Sequence, residues 1–184
     1  MSRLLLEPMV SLYARRMICL LRMIFSLVVS LFLSSYPVLG AEAPGIVMRV
    51  SDGDSLRVEV GTESERVRLF GIDAPEIGQE FGTEARDFVR ELTVGRTMNF
   101  ERIGPDRYGR DVAIVRLPDG RSLNAELVRQ GYAWWSRRHA PDDHELADAE
   151  REARAHNRGL WRQAEPLPPW VWRAERRKSP EPAH

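Results

Sequence analysis

Beyond residue 44 the hydrophobic rhythm of the chain changes several times, and each change marks an element. Gly45 to Ser51 (GIVMRVS) and Ser55 to Val60 (SLRVEV) alternate apolar and polar residues, the period of a half-buried strand. Asp52-Gly53-Asp54 lies between them, and two short alternating runs joined through Asp-Gly predict a hairpin. A third strand is predicted from Glu65 to about Ile72. It gives out at Asp73-Ala74-Pro75-Glu76, because proline has no N–H for a ladder.

The period then lengthens to that of a helix. Phe81, Ala85, Phe88 and Leu92 share one face of a helix predicted over 80–92. A fourth strand follows near 97–102, a polar loop over 104–110, and a fifth strand over 112–117. After a turn at Asp119-Gly120, a helix over 122–130 stops at Gly131. A last helix is predicted from Asp142 or Asp143 to about Asn157. Asp142 and Glu145 resemble a capping box there, and Gly159 ends the helix. From Gln163 the prolines at 166, 168, 169, 180 and 182 exclude a packed sheet or helix interior. Residues 163–184 therefore read as a Pro- and Arg-rich tail mostly outside the core, with Trp170 and Trp172 as its candidate contacts. Five short strands, one helix after the third and two after the fifth, predict a mainly β, α+β domain over 41–162. Its expected form is a five-stranded OB-type barrel with three helices.

Residues 1–40 read differently. Arg15, Arg16 and Arg22 precede an apolar run from Met23 to Leu33, and Val38-Leu39-Gly40 fits cleavage after Gly40, so an export signal is expected. The apolar run falls short of the roughly 20 residues of a membrane span. An uncleaved N-terminal anchor is the alternative, and it is the one route by which a membrane enters. The expected destination is secreted or periplasmic. Of the 27 basic and 27 acidic residues, four arginines and one glutamate lie in this stretch, which leaves 23 against 26, a net charge of −3. That excludes a global positive field, so attraction to phosphate must come from local clusters. Lys178 is the single lysine; the other cations are arginines, whose forked N–H groups suit planar anions. The one cysteine, Cys19, lies in the leader, so the rest of the chain has no disulfide, thiol nucleophile or thiolate metal site.

Three polar clusters are candidates for chemistry: Asp52-Gly53-Asp54, then Arg68 with Asp73 to Glu76, then Asp106 to Arg110. Phosphodiester hydrolysis brings hydroxide to a centre that is already negative. It needs cations for the developing charge and a base for the water. A hard dication on carboxylates serves part of both needs. On that chemistry Asp54 and Asp73 are candidate metal ligands, Glu76 a candidate base, and Arg68 and Arg110 a phosphate clamp. Each residue also has a plain structural reading, as a turn, a strand end or a surface arginine. Strict alternation puts Arg68 and Asp73 on opposite faces, so a shared site requires a bend, for which Gly71 is the place. His139, His144, His156 and His184 lack the spacing of a zinc site, and there is no glycine-rich phosphate loop or Gly-x-Ser-x-Gly.

Four strings taken in order resemble the staphylococcal nuclease family: Ser51-Asp52-Gly53-Asp54-Ser55, Arg68 to Glu76 (RLFGIDAPE), Asp106 to Arg110 (DRYGR), and Asn124 to Gly131 (NAELVRQG). The resemblance runs from about Gly45 to Trp161. It implies an OB barrel with three helices and one calcium ion held by Asp54, Asp73 and the carbonyl of Ala74. Family members often carry threonine at the Ala74 position; alanine keeps the carbonyl and loses a hydroxyl. The resemblance further implies Glu76 as general base, Arg68 and Arg110 as clamp and transition-state stabilisers, and DNA and RNA as substrates. Products would carry a 3′-phosphate and a free 5′-hydroxyl. A monomer without a stable protein partner suffices. The family's tyrosines after the Gly131 position are replaced here: Arg137 and His139 fall about where they belong. A barrel that holds nucleic acid without cutting it is the alternative function, and a domain for oligosaccharide or protein partners is a third.

Overall fold

Inward-facing alternate residues draw five strands into a closed barrel. A computed structural model describes residues 42–178, so the expected leader and cleavage site, Cys19 and His184 lie outside it. The strands are β1 (Glu42–Asp52), β2 (Ser55–Val60), β3 (Glu63–Leu69), β5 (Thr97–Pro105) and β6 (Asp111–Arg116), with β4 (Ile72–Asp73) and β7 (Trp134–Trp135) as a separate pair. Barrel order is β1-β2-β3-β6-β5, closed by β5 against β1. The β3–β6 pairing is parallel and the others antiparallel. Leu56, Val58, Val67, Leu69, Met98, Phe100, Ala113 and Val115 fill the interior, all buried. Each large side chain among them contributes about 1.5–3 kcal/mol by leaving water.

The first strand is longer than its alternation predicts because it serves two neighbours. Glu42 to Ile46 pairs with β5, and Ile46 to Asp52 pairs with β2. Register shifts after Val47 and Val50 break the alternation, leaving Met48 and Arg49 both exposed and Val47 and Val50 both buried. Such bulges add the coiling that barrel closure needs. The predicted third strand is in fact two pieces. It stops at Leu69, turns at Gly71 with φ at 72°, and resumes as β4, which pairs Asp73 with Trp134 and Ile72 with Trp135. A left-handed φ disfavours any side chain at Gly71, and a Cβ there would also meet Leu146 Cδ1 at 2.7 Å.

Four α-helices are described, one more than predicted: α1 (Gly82–Thr93), α2 (Leu123–Arg129), α3 (His144–Ala155) and α4 (Pro169–Lys178). The buried face of α1 is Gly82, Ala85, Val89 and Thr93, so the predicted stripe is rotated; Phe81, Phe88 and Leu92 are only half-buried. Hydropathy overlooks Gly82 and Thr93, which are buried for close packing. The cap of α3 is Asp143 and not Asp142: its carboxylate accepts from the Leu146 amide at 3.0 Å, while Asp142 is exposed. The fourth helix lies in the stretch read as tail. Pro169 occupies its first turn, where a missing N–H costs nothing.

One polar side chain locks the helical layer to the barrel beside the Gly71 turn. Asn124, buried on α2, donates to the carbonyls of Phe70 at 2.9 Å and Ala113 at 3.3 Å and accepts from the Val115 amide at 3.0 Å. Asn124→Ala removes the side-chain partner of the Phe70 carbonyl and the Val115 amide, while the Ala113 carbonyl keeps the Phe70 amide at 2.8 Å. We expect a loss of about 2–4 kcal/mol in unfolding free energy, read by urea titration. A change below about 0.5 kcal/mol means that water or rearrangement satisfies those groups.

Candidate active site

The first turn supplies Asp54. Asp52 Oδ1 accepts from the Asp54 amide at 3.1 Å and tightens the turn. Gly53 then lets that turn press onto the Asp73-Ala74 segment. A Cβ at this position would stand 2.6 Å from Ala74 Cβ and 2.8 Å from Ala85 Cβ. Contact between the two segments is closed by Asp54 Oδ2, which accepts from the Ala74 amide at 2.8 Å.

On β3, Arg68 sits opposite Ser55 in the β2 register and forks between two carboxylates. Its Nη1 lies 2.5 Å from Asp54 Oδ1 and its Nη2 2.9 Å from Asp73 Oδ1. The Gly71 turn brings Asp73 round to Arg68, as the expected bend requires. Its position is then held by the β4–β7 pairing and by the Ser136 amide donating to Gly71 O at 2.8 Å.

Arg110 arrives on a loop wound around Asp106. Asp106 Oδ1 accepts from the amides of Tyr108 at 2.8 Å and Arg110 at 3.0 Å, and Oδ2 accepts from Arg110 Nε at 2.7 Å. Burial acts against ionisation of Asp106, but the Arg110 amide and guanidinium and the Tyr108 amide hold its carboxyl below the usual range. The free edge of Arg110 donates to Ser55 Oγ at 3.4 Å, and Ser55 Oγ donates to Asp54 Oδ1 at 3.2 Å.

Glu76 is half-buried, with its amide donating to Gln79 Oε1 at 3.2 Å. Its carboxylate meets a residue that the motifs did not indicate. Arg173 of α4 reaches Glu76 Oε1 at 2.6 Å and Asp73 Oδ2 at 2.7 Å, with a further bond to Asp73 Oδ1 at 3.3 Å. Asp54, Arg68, Asp73, Ala74, Glu76 and Arg110 thus share one hydrogen-bonded network, completed by Ser55, Asp106 and Arg173. Ser55 and Asp106 stood inside the sequence motifs without a role. Arg173 carried no signal beyond being an arginine among prolines. Arg137 and His139 lie outside the network: Arg137 pairs with Glu150 and covers Trp135, and exposed His139 faces Ser136 Oγ.

The charges explain what this network can hold. Burial pushes the Asp54 carboxyl above the usual range; Arg68 and the Ala74 amide oppose the rise, while Asp52 and Asp73 add to it. Burial also works against the charge on Arg68, but Asp54 and Asp73 outweigh it and keep the guanidinium firmly protonated. A buried carboxylate whose neighbours are acids gains from a further positive charge. Carboxylate oxygens suit a hard dication. Among the described residues, no three carboxylate, imidazole or thiolate groups form a ready cage. The Asp54 and Asp73 carboxylates are donors of the kind calcium takes, and other oxygens would have to complete a set around it.

The family described as staphylococcal nuclease homologue matches residues 66–163. That is more than half of the chain, and it takes in Arg68, Asp73, Ala74, Glu76 and Arg110. The chain belongs to the staphylococcal nuclease family. Among curated relatives, an uncharacterized endonuclease of Escherichia coli O157:H7 is 42% identical over 143 residues, 78% of this chain and 93% of its own length. A micrococcal nuclease of Shigella flexneri is 38% identical, covering 72% and 82%. Protein ParB of Escherichia coli is 40% identical, covering 73% and 81%. In this staphylococcal nuclease homologue Asp54 stands just before the matched span and Arg173 just after it.

Proposed function

We propose that this protein is an exported, calcium-dependent endonuclease that hydrolyses phosphodiester bonds of DNA and RNA. The observation that carries the reading is Arg68 forking between Asp54 and Asp73, with Arg110 tied to the same Asp54 through Ser55. Two guanidinium groups and two buried acids converge from four separate segments. A structural ion pair needs only two of these groups, and a fork of paired N–H groups is suited to phosphate oxygens.

In this reading Asp54, Asp73 and the Ala74 carbonyl hold calcium, whose charge would acidify a bound water and offset the charge on the phosphate. Glu76 accepts a proton from the attacking water. The hydroxide oxygen bonds to phosphorus as the bond to the 5′-oxygen breaks. Arg68 and Arg110 donate to the phosphate oxygens that gain charge. The leaving oxygen takes a proton from solvent water and departs as the 5′-hydroxyl, Glu76 returns its proton to solvent, and the other product keeps a 3′-phosphate. The domain that does this spans 41–162, and residues 1–40 direct its export.

The test uses protein recovered from the periplasm or medium, with Ala41 expected as its first residue. Incubation with single-stranded DNA and with RNA is expected to give cutting with calcium and none with a chelator. Retention of both substrates without cutting under either condition replaces the enzyme with a binding module. Recovery only with membranes, residues 1–40 intact, replaces export with anchoring.

A further inference from the structure

The proposed active site already contains a cation of the protein's own. Arg173 engages both oxygens of Asp73 and one oxygen of Glu76. The remaining short contact to Asp73 comes from Arg68. A carboxylate that binds a hard dication must offer lone pairs to it, and those of Asp73 face two guanidinium groups. A base must be free to take a proton, and Glu76 is paired. Calcium and Arg173 therefore compete for the same oxygens.

The helix bearing Arg173 is only partly buried. Pro169 is its only buried residue; Val171, Trp172, Arg173 and Ala174 are half-buried, and the rest is exposed. Arg176 is engaged as well, and two further moorings are defined. Trp170 meets Trp134 edge-on at 6.2 Å, and Gln79 Nε2 donates to Leu167 O just before the helix. Pro166 and Pro168 bridge from the Gly159–Arg162 turn and stiffen the approach. The pair with Glu76 is half-exposed and worth little on its own, so the hold on the helix rests mainly on the two-pronged pair with buried Asp73. The family match covers residues 66–163, and Arg173 follows its end by ten residues.

We propose that α4 is an autoinhibitory latch, with Arg173 occupying the cation position between Asp73 and Glu76 until calcium displaces it. This rests on the calcium reading above. The latched form has its acids neutralised from within, and the open form frees Asp73 for the metal and Glu76 for the water. Linkage makes the coupling reciprocal: whatever factor Arg173 takes from calcium affinity, calcium takes from docking of the helix.

Full-length protein and its Arg173→Gln variant, both verified as folded by circular dichroism, are titrated with calcium alone in a calorimeter. The variant is expected to bind about tenfold more tightly, the effect of removing a contact worth a factor of ten. Amide hydrogen exchange over 169–178 is followed in parallel. In the wild type, calcium is expected to speed exchange there; in the variant, exchange is fast from the start and calcium changes it little. Equal affinities, weaker binding by the variant, or helix protection indifferent to calcium overturns the latch and leaves the nuclease reading intact. Calcium binding by neither protein removes both.

Discussion

Glu76→Gln is expected to lower phosphodiester turnover by about 10²–10⁴-fold, the span a positioned base contributes. Glutamine keeps the shape of the side chain and cannot accept the proton. Stability should hardly change, because Glu76 is half-exposed and its recorded side-chain partner is Arg173, on a partly buried helix. An ion pair of that kind contributes about 0–1 kcal/mol. Turnover at saturating substrate and calcium, together with a thermal melt, checks both halves. Because Glu76→Gln also loosens Arg173, the measurement is repeated in an Arg173→Gln background, where the loss should persist. Turnover within about threefold of the parent in either background removes Glu76 from the role of base.

The second large effect is expected at Arg68. Lysine keeps the charge and loses the fork, so it can follow Asp54 or Asp73 but not grip both as the guanidinium does at 2.5 and 2.9 Å. Arg68→Lys should cost about 10²–10³ in turnover, the scale of one lost transition-state donor. It should also cost about 1–3 kcal/mol of stability, since buried Asp54 loses its charge-assisted partner. Calcium should restore part of that stability, because added positive charge relieves the same carboxylates. Turnover and urea denaturation, with and without calcium, separate the two effects. A near-normal rate would make Arg68 a structural ion pair, and the clamp would then rest on Arg110 alone.

The site was legible to a different depth at each residue. Asp54, Arg68, Asp73, Glu76 and Arg110 could be chosen from chemistry because acids, arginines and a phosphodiester make a short list of roles. Nothing in their spacing said that they met. Alternation argued against a shared site for Arg68 and Asp73, and the answer lay in the turn at Gly71 and in a two-residue pairing with Trp134. Ser55 and Asp106 sat inside recognisable strings, yet their work is indirect: one connects Arg110 to Asp54, the other winds the loop that presents Arg110. The rotated face of α1 shows a different limit. Hydropathy ranks Phe81 above Gly82, but Gly82 is the buried one, because the backbone of Glu76 and Ile77 approaches it too closely for a side chain.

Local pattern by itself determined the five barrel strands, the hairpin turn and the three helices of the nuclease domain, to within a few residues at their ends. Alternation, helical period and turn chemistry are properties of neighbours along the chain, and a strand or helix obeys them before it meets any partner. Only the tertiary structure decided which charges share a carboxylate. Asp54 and Ala74 are 20 residues apart, and Arg173 closes on Asp73 across 100. Contacts at that range follow from barrel closure and helix docking, where the same arginine can serve as surface charge, clamp or latch. Proline in the tail forbade a helix interior but not a helix start, and from that start Arg173 reaches the acids.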